Sequence, residues 1–327
     1  MATPQAVPAQ TMLGWAELAA RLRCSRCQAG PLEAAEGGLR CPSCGSEHPI
    51  ADGVLVMAPP AASPTDGVVQ QELEDWERNA EFYLREPRSP LFGLLHAGKR
   101  RAYALGGEPR LLVLDLGGGT GYFSRELVRQ GHVAATLDFS ARMLRLGRKA
   151  YGLPLAIECA VPPLPFADAS LDAVVANGVL HHCKAQDALA ATVAEIHRVL
   201  RPGGLLLVYD RNGAFLGRHL HHFVLGVKRS LERRRRFGAS SSGAEPDFND
   251  ADVRTLTDAG FAIERRRYVS TLWTFSAIVA TNCVEYAGLP RLAQALRWLA
   301  WPLAAVTERV LAFKAVTVEQ CLRLRRT

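Results

Sequence analysis

From residue 111 onward, apolar runs of strand length alternate with stretches of helical periodicity. LLVLDL (111–116), HVAATLDF (132–139), LAIECA (155–160), LDAVVANGVL (171–180) and LLLVYD (205–210) are nearly continuous apolar runs, as expected of strands buried on both faces. Between them, YFSRELVRQ (122–130), ARMLRLGRKA (141–150) and ALAATVAEIHRVL (188–200) repeat their apolar residues every three or four positions. This alternation predicts βαβ units, hence an α/β fold with a mostly parallel sheet and helices on both faces. Residues 71–105, containing QELEDWERNAEFYL, read as helix, and so does DADVRTLTDAG (250–260). FAIERRRYVS (261–270) and TFSAIVATN (274–282) read as a closing pair of strands, and 285–327 as one or two further helices.

The punctuation of the chain divides it. Residues 1–20 read as a flexible tail, 21–57 as a compact Cys- and Gly-rich module, and APPAASPTDG (58–67) as a linker. Residues 68–284 form the α/β domain, with a basic helix and a Ser/Gly-rich loop inserted at 212–247, where a lid over a ligand is expected; 285–327 is a C-terminal helical extension. At 327 residues, 48% hydrophobic and 22% charged, the composition excludes disorder, collagen and coiled coil. The net charge of +7 is uneven: residues 211–327 carry +9 and residues 1–210 carry −2. No basic residue precedes Arg21 and no apolar stretch reaches bilayer length, so neither a leader nor a spanning helix is predicted. The expected location is cytoplasmic, peripheral at the inner membrane surface if the basic third docks there. In a reducing compartment the eight Cys read as ligands or core residues.

Cys24 and Cys27, then Cys41 and Cys44, make two CxxC pairs separated by 13 residues, the spacing that sets four thiolates around one tetrahedral zinc ion. The glycine after Cys44 suits the tight knuckle turn, and His48 reads as structural. Cys159, Cys183, Cys283 and Cys321 have no ligand spacing and read as small core residues.

In LLVLDLGGGTGYFS a strand ends at Asp115 and Gly117, Gly119 and Gly121 alternate into a helix, so bare backbone can approach a ligand at the helix start. The dinucleotide fingerprint fails, because its third glycine falls on Tyr122 or Ser124, and no Gly-Lys-Ser/Thr follows for a phosphate loop. The remaining acidic-x-Gly-x-Gly-x-Gly pattern resembles motif I of the class I S-adenosylmethionine-dependent methyltransferases, a Rossmann-like fold. LPFADASLDAVVANGVLHH and EIHRVLRPGG resemble the later motifs of that family, particularly the branch with the ubiquinone and menaquinone C-methyltransferases. The resemblance covers about residues 100–210.

The resemblance implies S-adenosylmethionine as cofactor. It gives Asp115 the methionine amino end, the backbone of Gly117, Gly118, Gly119 and Gly121 close contact, and Asp138 the ribose hydroxyls. Met143 and the residues around Ala160 take the adenine, and Asn177 the substrate side. Ala160 departs from the family, which usually places Asp there for the adenine amino group; Glu158 or backbone groups would substitute. His181, His182, Tyr209 and Asp210 stand where a base could reach the methyl group, and none is assigned as catalytic. CPSCGSEHPIADGVLVM resembles small zinc-ribbon modules that accompany methyltransferases. It is also similar to the N-terminal zinc finger of bacterial ribosomal-RNA guanine methyltransferases.

Two acceptor classes follow, a small or lipid-like molecule of quinone or natural-product type and, as the alternative, an rRNA base. The absence of an Asn-Pro-Pro-Tyr-type motif after the Asp172–Asn177 strand favours the first. A non-catalytic cofactor-binding scaffold is the third reading. KRSLERRRRF, ERRRY and the closing LRLRR offer an anionic partner, nucleic acid or membrane, or else a salt-bridged face. Phe215, Phe223, Leu225, Trp298, Trp301 and Phe313 in the same third suit an anionic membrane interface, or else pack onto the sheet.

Overall fold

The apolar runs pair side by side in one sheet. Its strands are β1 (Glu33–Ala35), β2 (Gly38–Arg40), β3 (Glu47–Ala51), β4 (Val54–Val56), β5 (Leu112–Leu116), β6 (Val133–Asp138), β7 (Leu155–Glu158), β8 (Leu171–Asn177), β9 (Leu200–Arg211), β10 (Phe261–Thr271) and β11 (Thr317–Arg326). The computed structural model describes residues 14–57, 108–213, 246–286, 288–311 and 317–327, with Lys314 and isolated positions between 73 and 105. The spatial order is β1-β2-β3-β4-β7-β6-β5-β8-β9-β11-β10. From β4 to β9 neighbours run parallel, while β11 runs antiparallel between β9 and β10. The chain order reverses between β5 and β8, and at such a switch point the loops diverge to leave a crevice at the carboxyl ends.

Strand side chains alternate faces, and the core divides accordingly. Leu112, Leu114, Leu116, Val174, Ala176, Leu206 and Val208 lie in one cluster; Val113, Ala173, Val175, Leu205, Leu207 and Tyr209 lie in the other. The covering helices are α1 (Trp15–Ala19), α2 (Tyr122–Arg129), α3 (Ala141–Tyr151), α4 (Leu180–Ala185), α5 (Leu189–Val199), α6 (Asp250–Asp258), α7 (Leu272–Tyr286) and α8 (Pro290–Val310). Ser140 starts α3 by accepting the Met143 amide at 3.2 Å, and Gly152, at φ +67°, stops it. Asn249 and Asp252 form a reciprocal capping box on α6. Among the described residues, no helix is long and apolar enough to cross a membrane.

Two expectations for the C-terminal part are corrected. TFSAIVATN is not a strand but the middle of α7, because an unbroken apolar run carries no period of two and its 15-residue element packs along α8. Among the described residues, the C-terminal extension is helical at the end of α7 and over Pro290–Val310, but Thr317–Arg326 is strand β11. The signal was present in Leu322-Arg323-Leu324-Arg325, where both leucines are buried and the arginines take the other face. Arg323 pairs with Glu264 and Glu108 at 3.0 Å each, Arg325 pairs with Glu264, and Arg266 pairs with Asp250 at 2.8 Å. Two of the three basic runs thus spend arginines on intramolecular ion pairs.

The Cys-rich module is welded to the sheet edge. Strand β4 pairs with β7 from Val54↔Ala156 to Val56↔Glu158, and the Met57 amide donates to the Glu158 carbonyl at 2.8 Å. Arg21 donates to the Ser170 carbonyl at 2.8 Å and Arg23 pairs with Asp168 at 3.2 Å; Arg198 of α5 holds the same Asp168 at 2.8 Å. Cys159, Cys183 and Cys321 are buried, as expected. The linker (58–67), the tail up to Leu13, Arg233–Arg236, the histidines of the insertion, Phe215, Phe223, Leu225, Phe313 and the Cys283 side chain lie outside the described residues.

Candidate active site and metal centre

Four sulfurs gather at the tips of the ribbon. Cys24, Cys27, Cys41 and Cys44 place their Sγ atoms within 4.8 Å of one another, with Cys24 to Cys44 at 3.7 Å and Cys27 to Cys41 at 3.6 Å. A tetrahedral ion with bonds of ~2.3 Å sets its sulfurs about 3.8 Å apart, so the cluster fits structural zinc. The Arg26 amide donates to Cys24 Sγ at 3.4 Å, and Gly45, at φ +73°, closes the second knuckle through its own amide and the Cys41 carbonyl. Cys44 Sγ lies 3.1 Å from Ser46 Oγ, and hydrogen bonding with Ser46 holds its thiol below the usual range, whereas burial raises that of Cys24.

At the switch point the glycine loop turns out of β5. Gly117 and Gly119 sit at φ +62° and +54°, in the left-handed region, and a Cβ on Gly117 would meet Val179 Cγ2 at 2.7 Å. Beneath the loop, Asp115 is 1% exposed. Its Oδ2 accepts the Ser124 hydroxyl at 2.6 Å and the Ser124 amide at 3.1 Å, bracing the start of α2, while Oδ1 is buried without a partner. Such an orphan acceptor suits the hydrogen of an incoming cation. The bracing role of Ser124 escaped the sequence reading.

Asp138 ends β6 beside the loop. Its Oδ2 accepts the Gly119 amide at 2.8 Å and its Oδ1 the Ser140 amide at 2.9 Å, so the carboxylate joins the glycine loop to the start of α3. A Cβ on Gly119 would lie 3.1 Å from Met143 Cε and 4.0 Å from Asp138 Oδ2, which brings these three residues to one place. The Cys159 amide donates to the Asp138 carbonyl at 3.0 Å, setting Ala160 one residue further along the same rim. Asn177 ends β8 opposite Tyr209, one residue beyond the Leu116↔Ala176 pair. The structure therefore collects Asp115, the four glycines, Asp138, Met143, Ala160 and Asn177 at one end of β5–β8.

Burial pushes both carboxyls up to about 6, against the lowering by Ser124 at Asp115 and by the Ser140 and Gly119 amides at Asp138. A carboxyl raised above its usual 3.8 keeps its proton in the folded chain after the unfolded chain has lost it. Its stabilising contribution is complete below the unfolded value and is lost as pH rises through about 6. Relative to Asp138→Asn, wild-type stability is therefore expected to fall between pH 4 and 7. Urea titrations at several pH values check this, and a pH-independent difference contradicts it.

The histidines after β8 are the largest surprise. His181 Nδ1 lies 2.7 Å from Asp210 Oδ1, both groups are buried, and the His181 amide donates to Asp210 Oδ2 at 3.1 Å. Burial raises the Asp210 carboxyl, but the facing His181 and the amides of Arg211 and His181 outweigh it and hold it below the usual carboxylate range. The His182 ring centroid lies 4.1 Å from that of His181, the two rings tilted by 37°; it meets Trp76 edge-on at 5.8 Å and adds a favourable charge interaction at Asp138. The sequence offered His181 and Asp210 as separate candidates 29 residues apart; nothing in it marked their pairing, or Trp76.

The sheet order, the glycine loop and the carboxylate at the end of β6 define a class I S-adenosylmethionine-dependent methyltransferase fold. Residues 114–208 match the methyltransferase domain family. Over 110 residues the chain is 34% identical to malonyl-acyl-carrier-protein O-methyltransferase of Pectobacterium atrosepticum, covering 34% of this chain and 42% of the relative. It is 35% identical over 110 residues to demethylmenaquinone methyltransferase of Streptomyces avermitilis, covering 33% and 46%. The match thus spans less than half the length of these relatives. A solved S-adenosylmethionine-dependent methyltransferase from Thermotoga maritima shares the fold, with a TM-score of 0.50 and 17% identity over 78% of this chain and all of that one.

Proposed function

We propose that the protein is an S-adenosylmethionine-dependent methyltransferase acting on a small-molecule or lipid-like acceptor. The observation that carries this is the convergence of the left-handed glycine loop, the Asp138 carboxylate and the orphaned buried Asp115 Oδ1 on one crevice. When bound, the cofactor supplies a methyl group activated by a sulfonium charge, which leaves the protein mainly alignment and desolvation. Asp138 takes the ribose hydroxyls, Asp115 Oδ1 an ammonium hydrogen, Met143 and the Ala160 rim the adenine, and Asn177 the substrate side. His181, with Nδ1 held by Asp210, exchanges a proton through Nε2 and serves as base toward an acceptor that carries one. The two relatives, which by name methylate malonyl-acyl-carrier protein and demethylmenaquinone, support this acceptor class over an RNA base.

Each charge-assisted bond from ribose contributes ~1.5 to 3 kcal/mol. Asp138→Ala is therefore expected to weaken S-adenosylmethionine binding at least tenfold; unchanged affinity in calorimetric titration removes its ribose role. Incubating the protein with labelled S-adenosylmethionine and cell extract tests the function itself. Label is expected in the small-molecule or lipid fraction. Label in RNA overturns the acceptor class, and cofactor binding without transfer to any fraction establishes the scaffold instead.

A further inference from the structure

Helix α8 has its polar side turned inward. Arg297 is buried, donating to Asn282 Oδ1 at 2.8 Å and pairing with Glu285. Glu308 accepts the Ser270 and Thr271 amides at 3.0 and 2.6 Å, and Thr307 Oγ1 lies 3.2 Å from Thr271 Oγ1. Rolling the helix would leave a buried guanidinium and two strand amides without these partners, so its orientation is fixed.

The outward side is apolar. Leu292, Ala295, Leu299, Leu303, Val306 and Val310 follow one another at steps of three or four, a single stripe along the helix, and all are exposed; Leu299 is 78% and Val310 68% exposed. Along one shoulder stand Arg291, Trp298 and Arg309, also exposed and spaced seven and eleven residues apart, close to whole numbers of turns. Glu308 is the helix's one acid, and it faces inward.

From this geometry we infer that α8 is an in-plane docking helix for an anionic lipid surface. The stripe enters the acyl boundary, Trp298 lies at the headgroup level, and Arg291 and Arg309 meet the lipid phosphates. A second copy of the chain fits less well, since an isologous contact would bring arginine shoulders together with no acid on the exposed side to answer them. The inference deepens the lipid-like acceptor reading and rests on it only for its purpose, delivery of an acceptor dissolved in the membrane; the docking itself is independent of catalysis.

Co-sedimentation with phosphatidylglycerol/phosphatidylcholine vesicles and with phosphatidylcholine alone tests it. The protein is expected to pellet with the anionic vesicles. L299E/V306E should reduce binding at least tenfold, and R291Q/R309Q several-fold, an effect matched in wild type by high salt. All four side chains are exposed, so zinc content and S-adenosylmethionine affinity, measured on the same samples, should stay at wild-type values. Wild type that pellets with neither vesicle overturns the inference while cofactor binding preserves the methyltransferase reading. So does a dimer in sedimentation velocity that L299E dissociates without any vesicle binding, which would assign the stripe to a second copy.

Discussion

Replacing Cys24 with serine is expected to release the zinc ion and unfold the ribbon. Residues 21–57 are too few to fold around a core of their own, and their strands β1–β3 are three to five residues long. The ion therefore carries the module; structural zinc contributes roughly 10 to 16 kcal/mol of apparent binding energy at neutral pH. The damage should spread, because β4 leaves the ribbon to pair with β7, and β7 leads to the Ala160 rim through Glu158 and Cys159. Elemental analysis should give about one zinc per chain in wild type and little in Cys24→Ser. Thermal unfolding in chelator should show an early transition and a weakened cofactor affinity. Metal-free protein with unchanged melting would contradict the role assigned to the cluster.

His181→Ala is expected to lower kcat by about 10² to 10⁴ at neutral pH while cofactor affinity stays within a few-fold, since general-base catalysis contributes factors of that size. The loss should shrink as pH rises and the acceptor ionises unaided, an outcome that a purely structural role for the residue would not produce. Asp210 acts through His181: its carboxylate accepts the His181 and Arg211 amides and holds the ring at 2.7 Å. Asp210→Asn should therefore lower kcat and shift the pH–rate profile with little change in KM. Single-turnover rates across pH check both variants. A few-fold loss for His181→Ala, constant across pH, would return the pair to packing.

How much of this was legible beforehand depended on whether the determining contacts were local. Asp115 and the glycines up to Gly121 lie within seven residues, and their spacing announces a strand, a tight turn and a helix start without reference to the rest of the chain. The four Cys were equally legible, because two CxxC pairs on short knuckles admit few geometries other than one ion. The apolar run of α7 misled, because a short, almost unbroken apolar run carries neither helical nor strand period and only its neighbours choose between them.

The sequence by itself determined the alternating α/β plan, the glycine loop, the carboxylate after the second strand and the four-thiolate cluster. Each is a short-range pattern that backbone geometry enforces. Tertiary structure alone decided the three long-range features. Antiparallel insertion brought β11 between β9 and β10, and strand pairing set Asp210 against His181. Anchoring of Arg297 and Glu308 from residues on α7 and β10 turned the apolar stripe of α8 outward, because the cost of leaving those charges unpaired exceeds the gain from burying a few more methyl groups.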